Sequence, residues 1–258
     1  MTRALSVPKP SDQFARFVKA DSPVRQRLIA ASFGEVGTLK TSFWLGAPGP
    51  IVVQSLDKGL EGVVEQFQTE KDIYVAEYDW KIQTTLCQEE AQALCATFEE
   101  DFEHALRHAR TILWDKETDV WGLFKYAEFG PEEAGKPKDW DKLKQRLRRL
   151  VNLSKSTDVN FGLIQAMRNE WVPSINKRTG AKGIAQSGER IRAGMDDVEA
   201  LVHVNIEHKF ENGEFVMKIG KARGPGGREI QNTTLPAMSF PEFAMLVFPD
   251  SAPADWES

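Results

Sequence analysis

The 258-residue chain is poor in cysteine: Cys87 and Cys95 are the only two, and they lie in one helical stretch. Two thiols eight positions apart make neither a disulfide framework nor a tetrahedral zinc site, and they read as reduced thiols. Histidine is nearly as scarce, with four residues. His104 and His108 share a helix face without a third ligand, and His203 and His208 fall on opposite faces of a strand, so no zinc site is expected. No apolar run approaches the ~18 residues of a membrane span, and "MTRALSVPKPSDQF" has no apolar signal core. The expectation is a cytoplasmic protein with no membrane partner. A basic excess is missing too: 33 Lys and Arg face 38 Asp and Glu, for a net charge of −5. Any nucleic-acid surface must therefore be a local patch.

What is present alternates. Residues 1–24 are polar and carry three prolines, which predicts a loosely held lead-in. Short apolar runs at 25–34, 50–57, 72–78, 111–115 and 159–167 predict buried strands. Between them, "KTSFWLGA" predicts a short helix and "LEGVVEQF" a helical turn or two. Gln88–Arg110 and "KLKQRLRRLVNLSK" (142–155) repeat apolar residues at helical spacing. Strands alternating with helices imply an α/β fold with a mostly parallel central sheet flanked by helices. "ALVHVNIEHKF" and "EFVMKIGKAR" are joined by Asn212-Gly213, which predicts a C-terminal antiparallel hairpin. The expected organisation is one α/β domain over 25–231, then a C-terminal segment and acidic tail over 232–258.

The motif with chemical content begins at the end of the first strand. In "GEVGTLKTS", Gly34, Lys40 and Thr41 sit at the offsets of the phosphate-binding signature G-x-x-x-x-G-K-[ST], with Leu39 in place of its second glycine. In such a loop (Gly34, Glu35, Val36, Gly37, Thr38, Leu39, Lys40, Thr41, Ser42), successive backbone N–H groups turn toward phosphate oxygens. The lysine meets the β- and γ-phosphates, and Thr41 offers its hydroxyl to Mg²⁺. Leu39 must turn its side chain away from the phosphates. Downstream, "TILWD" is an apolar strand ending in Asp115, the type of carboxylate that holds Mg²⁺ across a nucleotide. Three acids qualify as the base that orients a water: Asp57 at the end of the second strand, Glu61 one turn on, and Glu117 just past Asp115. Gln165, polar in an otherwise apolar strand, could sense the γ-phosphate or satisfy a neighbouring backbone group.

Two basic features lie further on. Lys221 and Arg223 are two apart, so on an extended strand they share a face that could reach a nucleotide on a neighbouring subunit. The stretch 168–192 carries Arg168, Lys177, Arg178, Lys182, Arg190 and Arg192 against Glu170 and Glu189. With three glycines and no clear period it reads as a mobile basic loop. Such a loop can follow a nucleic-acid backbone, with Trp171 offering a stacking face.

Taken together, "GEVGTLKTSFWLGAPGPIVVQSLDKGLEGV", "TILWDKETDVWGLF", "NFGLIQAM" and "KIGKAR" resemble the phage-encoded RecA/RadA-core P-loop ATPases of the single-strand annealing and recombination group. The resemblance spans roughly residues 26–230. It implies a RecA-like sheet, ATP with Mg²⁺ as ligands, a homo-oligomer with ATP at subunit interfaces, and single-stranded DNA as partner. By position, it implies that Asp57 is the catalytic acid, Gln165 the sensor, Lys221 and Arg223 the finger pair, and 168–192 the DNA-binding segment. If the chain is phage-encoded, the compartment is the host cytoplasm. Leu39 and an aspartate at 57 distinguish the chain from the group's usual pattern, which leaves a nucleotide-binding assembly module with little catalysis as the rival expectation. A motor or packaging accessory on the same fold is a third.

Overall fold

The computed structural model describes residues 26–80, 87–130, 137–175 and 182–257. The expected lead-in, 1–24, lies outside them. The chain opens with strand β1 (Ile29–Gly34), helix α1 (Lys40–Leu45), β2 (Ile51–Ser55), a 3₁₀ turn at Val64–Gln66 and β3 (Ile73–Glu77). Helix α2 (Gln88–His108), β4 (Thr111–Asp115), α3 (Glu117–Phe129), α4 (Asp141–Ser154) and β5 (Asn160–Gln165) follow. The last part holds β6 (Met167–Ile175), β7 (Lys182–Arg192), α5 (Val198–Leu201), β8 (Val204–Glu211), β9 (Glu214–Ala222), α6 (Gly227–Ile230), β10 (Thr234–Pro236) and α7 (Phe240–Val247).

Eight strands form one sheet in the order β10-β9-β8-β1-β5-β4-β2-β3. Every pair from β8 to β3 is parallel, whereas β9 joins β8, and β10 joins β9, antiparallel. The central strands are apolar on both faces because helices cover both. Alternation then sorts their side chains. Ile29, Ala31, Ile112, Trp114, Phe161 and Leu163 face α2, α3 and α4. Leu28, Ala30, Leu113 and Ile164 face α1 and α7.

The sheet needs a bare position at the centre of β5. A Cβ at Gly162 would lie 2.5 Å from the Trp44 ring and 2.8 Å from a Leu113 methyl, so glycine there lets α1 seat its indole on the sheet. The indole N–H donates to Ser32 Oγ at 3.0 Å. Fully burying large side chains such as Trp44, Phe240 and Phe243 stabilises by roughly 1.5–3 kcal/mol each. Helix α2 places Glu89 and Glu90 in its first turn and Arg107 and His108 in its last, complementing its dipole. Both cysteines carry free thiols.

Three expectations change. "LEGVVEQF" makes only a 3₁₀ turn, since Gly62 at φ 77 breaks a regular helix. Residues 234–256 do not trail away: β10 extends the sheet, α7 packs on α1, and buried Trp256 stacks on Phe248 at 5.7 Å. The segment expected as a loop between 168 and 192 is an antiparallel hairpin of β6 and β7, a sheet of its own. Among the described side chains neither strand buries one fully, so they carry no apolar alternation by which the sequence would announce them.

Candidate functional site

The sheet order sets the site. Strand β5 lies between β1 and β4, with Phe33 opposite Gln165 and Ile164 opposite Asp115. Gly34, Gln165 and Asp115 therefore end at one edge of the sheet, the edge where ligands sit in open α/β folds. Asp115 has the parity of Leu113 and so lies on the α1 face.

β1 runs into the loop through Gly34, at φ 144. A Cβ there would stand 2.1 Å from the carbonyl oxygen of His208 on β8, so no other residue fits. Gly37 turns at φ 78 into open space, Val36 is exposed and Thr38 is buried. Leu39 adopts φ 65, ψ 16, the left-handed conformation that the glycine of the signature would supply. For a non-glycine residue this costs roughly 1–2 kcal/mol. Its carbonyl accepts the Phe43 N–H at 2.9 Å, the first intrahelical bond of α1. As expected, its side chain turns outward, to 43% exposure.

Lys40 curls back into the loop. Its Nζ donates to the carbonyls of Gly34 at 3.0 Å and Glu35 at 2.5 Å, and to Thr38 Oγ1 at 3.2 Å. Thr38 Oγ1 itself donates to Glu35 O at 2.7 Å. Burial lowers the Lys40 pKa, against the pull of Asp115 and Glu35. Thr41 and Ser42, half-buried, occupy the first turn of α1.

Asp115 is buried, and that burial, with Asp57 nearby, pushes its pKa up to about 6, while Lys116 and Lys40 pull it down. Asp57 is ion-paired with Lys116 and accepts the Gly59 N–H at 3.1 Å. Two carboxylates and two ammonium groups thus meet at this edge. Lys116 was missed in the sequence: its side chain reaches Asp57 only because β2 and β4 are neighbours in the sheet. Glu61 is exposed.

Gln165 and Glu117 form a second cluster. Gln165 turns to the face away from α1, where its Nε2 donates to Glu117 Oε2 at 2.7 Å. The Met195 N–H donates to Glu117 Oε1 at 3.2 Å, and the Ala166 N–H to Thr118 Oγ1 at 2.9 Å. Glu117 is fully enclosed, with its pKa raised to about 7 by burial. This carboxyl ties the entry of the β6–β7 hairpin to its exit.

Of the six basic residues expected to face nucleic acid, Arg168 and Lys182 stand exposed on the hairpin, and Lys177 and Arg178 lie outside the described residues. Arg190 and Arg192 instead hold the hairpin root. Arg190 pairs with Glu35 at 2.9 Å and donates to Met167 O at 2.9 Å. Arg192 lies over the Phe33 ring at 5.7 Å and reaches Glu199 at 3.4 Å. Trp171 and Ile184 are exposed along the ribbon. Lys221 donates to the carbonyls of Glu199, Ala200 and Val202 at 2.7–3.1 Å, closing the end of α5, whereas Arg223 is exposed.

A hollow of about 640 Å³ lies between Gly34–Thr38, the hairpin at Gly188–Arg190 and the aromatic pair Phe210 and Phe215. A smaller slot of about 250 Å³ runs along the outer side of α1. Among the described residues, no cluster of three or more His, Cys, Asp or Glu could hold a metal by itself, and no helix is long and apolar enough to cross a membrane.

No protein-family model and no curated protein matches the sequence. Among solved structures, the chain is similar to a RadB recombinase, at 10% identity over 80% of this chain and 84% of that one, with a TM-score of 0.47. It is also similar to the flagellar accessory protein FlaH from Methanocaldococcus jannaschii, at 9% identity over 78% and 80% of the two chains, with a TM-score of 0.37. At these values the likeness bears on neither chemistry nor partners.

Proposed function

We propose that this chain is a RecA-like, Mg²⁺-dependent ATP-binding protein that hydrolyses ATP slowly. The carrying observation is the loop itself: Leu39 holds the glycine conformation, and Lys40 rests on the Gly34 and Glu35 carbonyls within the field of Asp115. That donor set fits a triphosphate with a hard cation. Lys40 has ammonium hydrogens to transfer from two carbonyls to phosphate oxygens, and Thr41 with Asp115 offers the oxygen ligands that Mg²⁺ prefers. Bound Mg·ATP would supply a phosphoryl group for in-line displacement by water. Lys40 would offset the charge on the transferred group, and Asp115 would hold the cation.

Asp57 is the proposed orienting base. Glu117 is enclosed and occupied by Gln165 and Met195, and Glu61 is out in solvent. Lys116 already occupies the Asp57 carboxylate in an ion pair that an attacking water would have to displace, which supports slow turnover. The same ion pair favours the second reading, a nucleotide-binding assembly module with little catalysis.

The finer reading places the protein on single-stranded DNA, in phage recombination or replication. The exposed hairpin supports it, with Arg168 and Lys182 for phosphates and Trp171 for stacking. Subunits would share ATP at their interfaces, with Arg223 presenting charge to a neighbour and Lys221 buttressing it. Binding and hydrolysis of ATP by the purified chain beside Lys40→Ala, with and without single-stranded DNA at two salt concentrations, test these readings. The ATPase reading requires turnover that Lys40→Ala abolishes; the DNA reading requires strand binding that weakens as salt rises. ATP binding without turnover or DNA binding leaves the module.

A further inference from the structure

The slot on the outer side of α1 shares Thr38, Leu39 and Ser42 with the phosphate loop and continues away from it between apolar walls. Those walls are Phe43 from α1, Phe67 just past the 3₁₀ turn, Phe215 and Met217 from β9, and Met238 beyond β10. Leu39 is the residue that joins loop and slot. Its left-handed backbone is what sends its side chain outward, and that side chain becomes a wall of the slot. The strain it carries is the kind that persists only where the surroundings or a ligand use it.

Deepening the ATP reading on which it rests, we propose that this slot receives the heteroaromatic base of the nucleotide, and that Leu39 is its specificity-determining wall. The occupant follows from continuity. A triphosphate seated against residues 34–41 has its sugar and base to place within one molecule's length, and the apolar hollow that shares three residues with the loop takes them. Aromatic and thioether side chains suit a flat π-face. The polar side chains around it, Thr38, Ser42, His208 and Ser239, are few, so the slot recognises a ring more than a hydrogen-bonding edge. His208 is already engaged with Ser32 Oγ, 3.2 Å from its Nε2. The chain should therefore prefer nucleoside triphosphates to inorganic triphosphate and discriminate weakly between adenine and guanine.

Calorimetric titration of the full chain in Mg²⁺, with ATP, GTP and inorganic tripolyphosphate as probes, tests this. The variant is Leu39→Asn, because asparagine tolerates the left-handed conformation and removes the apolar wall. The expected result is that wild type binds ATP about tenfold or more tighter than tripolyphosphate, the worth of one stacked base. GTP should fall within about threefold of ATP. Leu39→Asn should lose the preference for ATP over tripolyphosphate, read as the ratio of the two affinities within the variant. Met238→Ala, at the far wall, should lower ATP affinity in the same sense. Equal wild-type affinity for ATP and tripolyphosphate overturns the slot and leaves the phosphate loop standing. A preference for ATP undiminished in both variants also overturns the slot. Wild type that binds none of the three overturns the ATP reading and the slot with it.

Discussion

Glu35 in the loop after β1 and Arg190 at the root of the long hairpin are ion-paired at 2.9 Å across 155 positions of sequence. The pair closes one side of the hollow beside Gly34–Thr38. Both side chains are about half exposed, so the pair itself stabilises little, and Arg190→Ala is expected to cost less than about 1 kcal/mol. Urea unfolding of the variant checks it. A larger loss would mean that the hairpin root, through the Arg190 contact to Met167 O, holds more of the fold than the ion pair does.

Lys40→Ala removes the ammonium seated on the loop carbonyls. Triphosphate affinity should fall by about two orders of magnitude, equivalent to ~3 kcal/mol, while the melting temperature stays near that of wild type. Calorimetry on both proteins reads the two effects separately.

Asp115 is strained electrostatically by its burial. Its folded pKa, about 6, lies above the ordinary aspartate value of 3.8. A raised carboxyl pKa means the fold prefers the neutral acid. The penalty is absent below the unfolded pKa and is fully present above about 6. In metal-free buffer, Asp115→Asn should therefore be more stable than wild type at pH 7, by about 2–3 kcal/mol. The gap should close as pH falls to 4. Denaturant midpoints at the two pH values decide it.

His208 works in the opposite direction. Burial, with Lys40 nearby, lowers its pKa from 6.5 to about 3, so it is neutral in the fold. The unfolded chain takes up a proton below pH 6.5 that the folded chain refuses. Wild type should lose stability relative to His208→Gln by roughly 1.4 kcal/mol per pH unit as pH falls below 6.5. Urea titrations at pH 7, 6 and 5 compare the two slopes; parallel lines would mean the imidazole titrates while folded.

The Glu117 clamp predicts a geometric intolerance. A Cβ at Gly194, which sits at φ 95, would lie 2.0 Å from Glu117 Oε2 and 2.9 Å from Gln165 Nε2. Gly194→Ala must displace that carboxyl and strain the turn, at a cost of about 2–4 kcal/mol. Thermal unfolding measures it, and faster proteolysis of the β6–β7 hairpin should accompany it.

Much of this architecture was legible before any coordinates. The apolar runs at 25–34, 50–57, 111–115 and 159–167 announced parallel strands, because a strand covered on both faces must be apolar on both faces. Helix α2 announced itself by apolar spacing and by the charges at its ends. The loop at 34–41 was readable because its chemistry is local: a turn, a lysine and a hydroxyl within eight residues.

The hairpin at 167–192 was not readable, since exposed strands are stabilised by pairing with each other and leave no burial pattern. Nor were the destinations of the charges. Lys116 goes to Asp57, Arg190 to Glu35, Lys221 to the end of α5, and Glu117 to Gln165, across separations that only the sheet order brings within reach. The sequence by itself determined which segments are buried and where the glycine–lysine turn at 34–41 stands, because hydrophobic spacing and backbone preference act over a few residues. The tertiary structure alone decided which charges neutralise one another and which distant side chains, Phe215 and Met238 among them, line one slot with Leu39, because those outcomes depend on groups brought together through space.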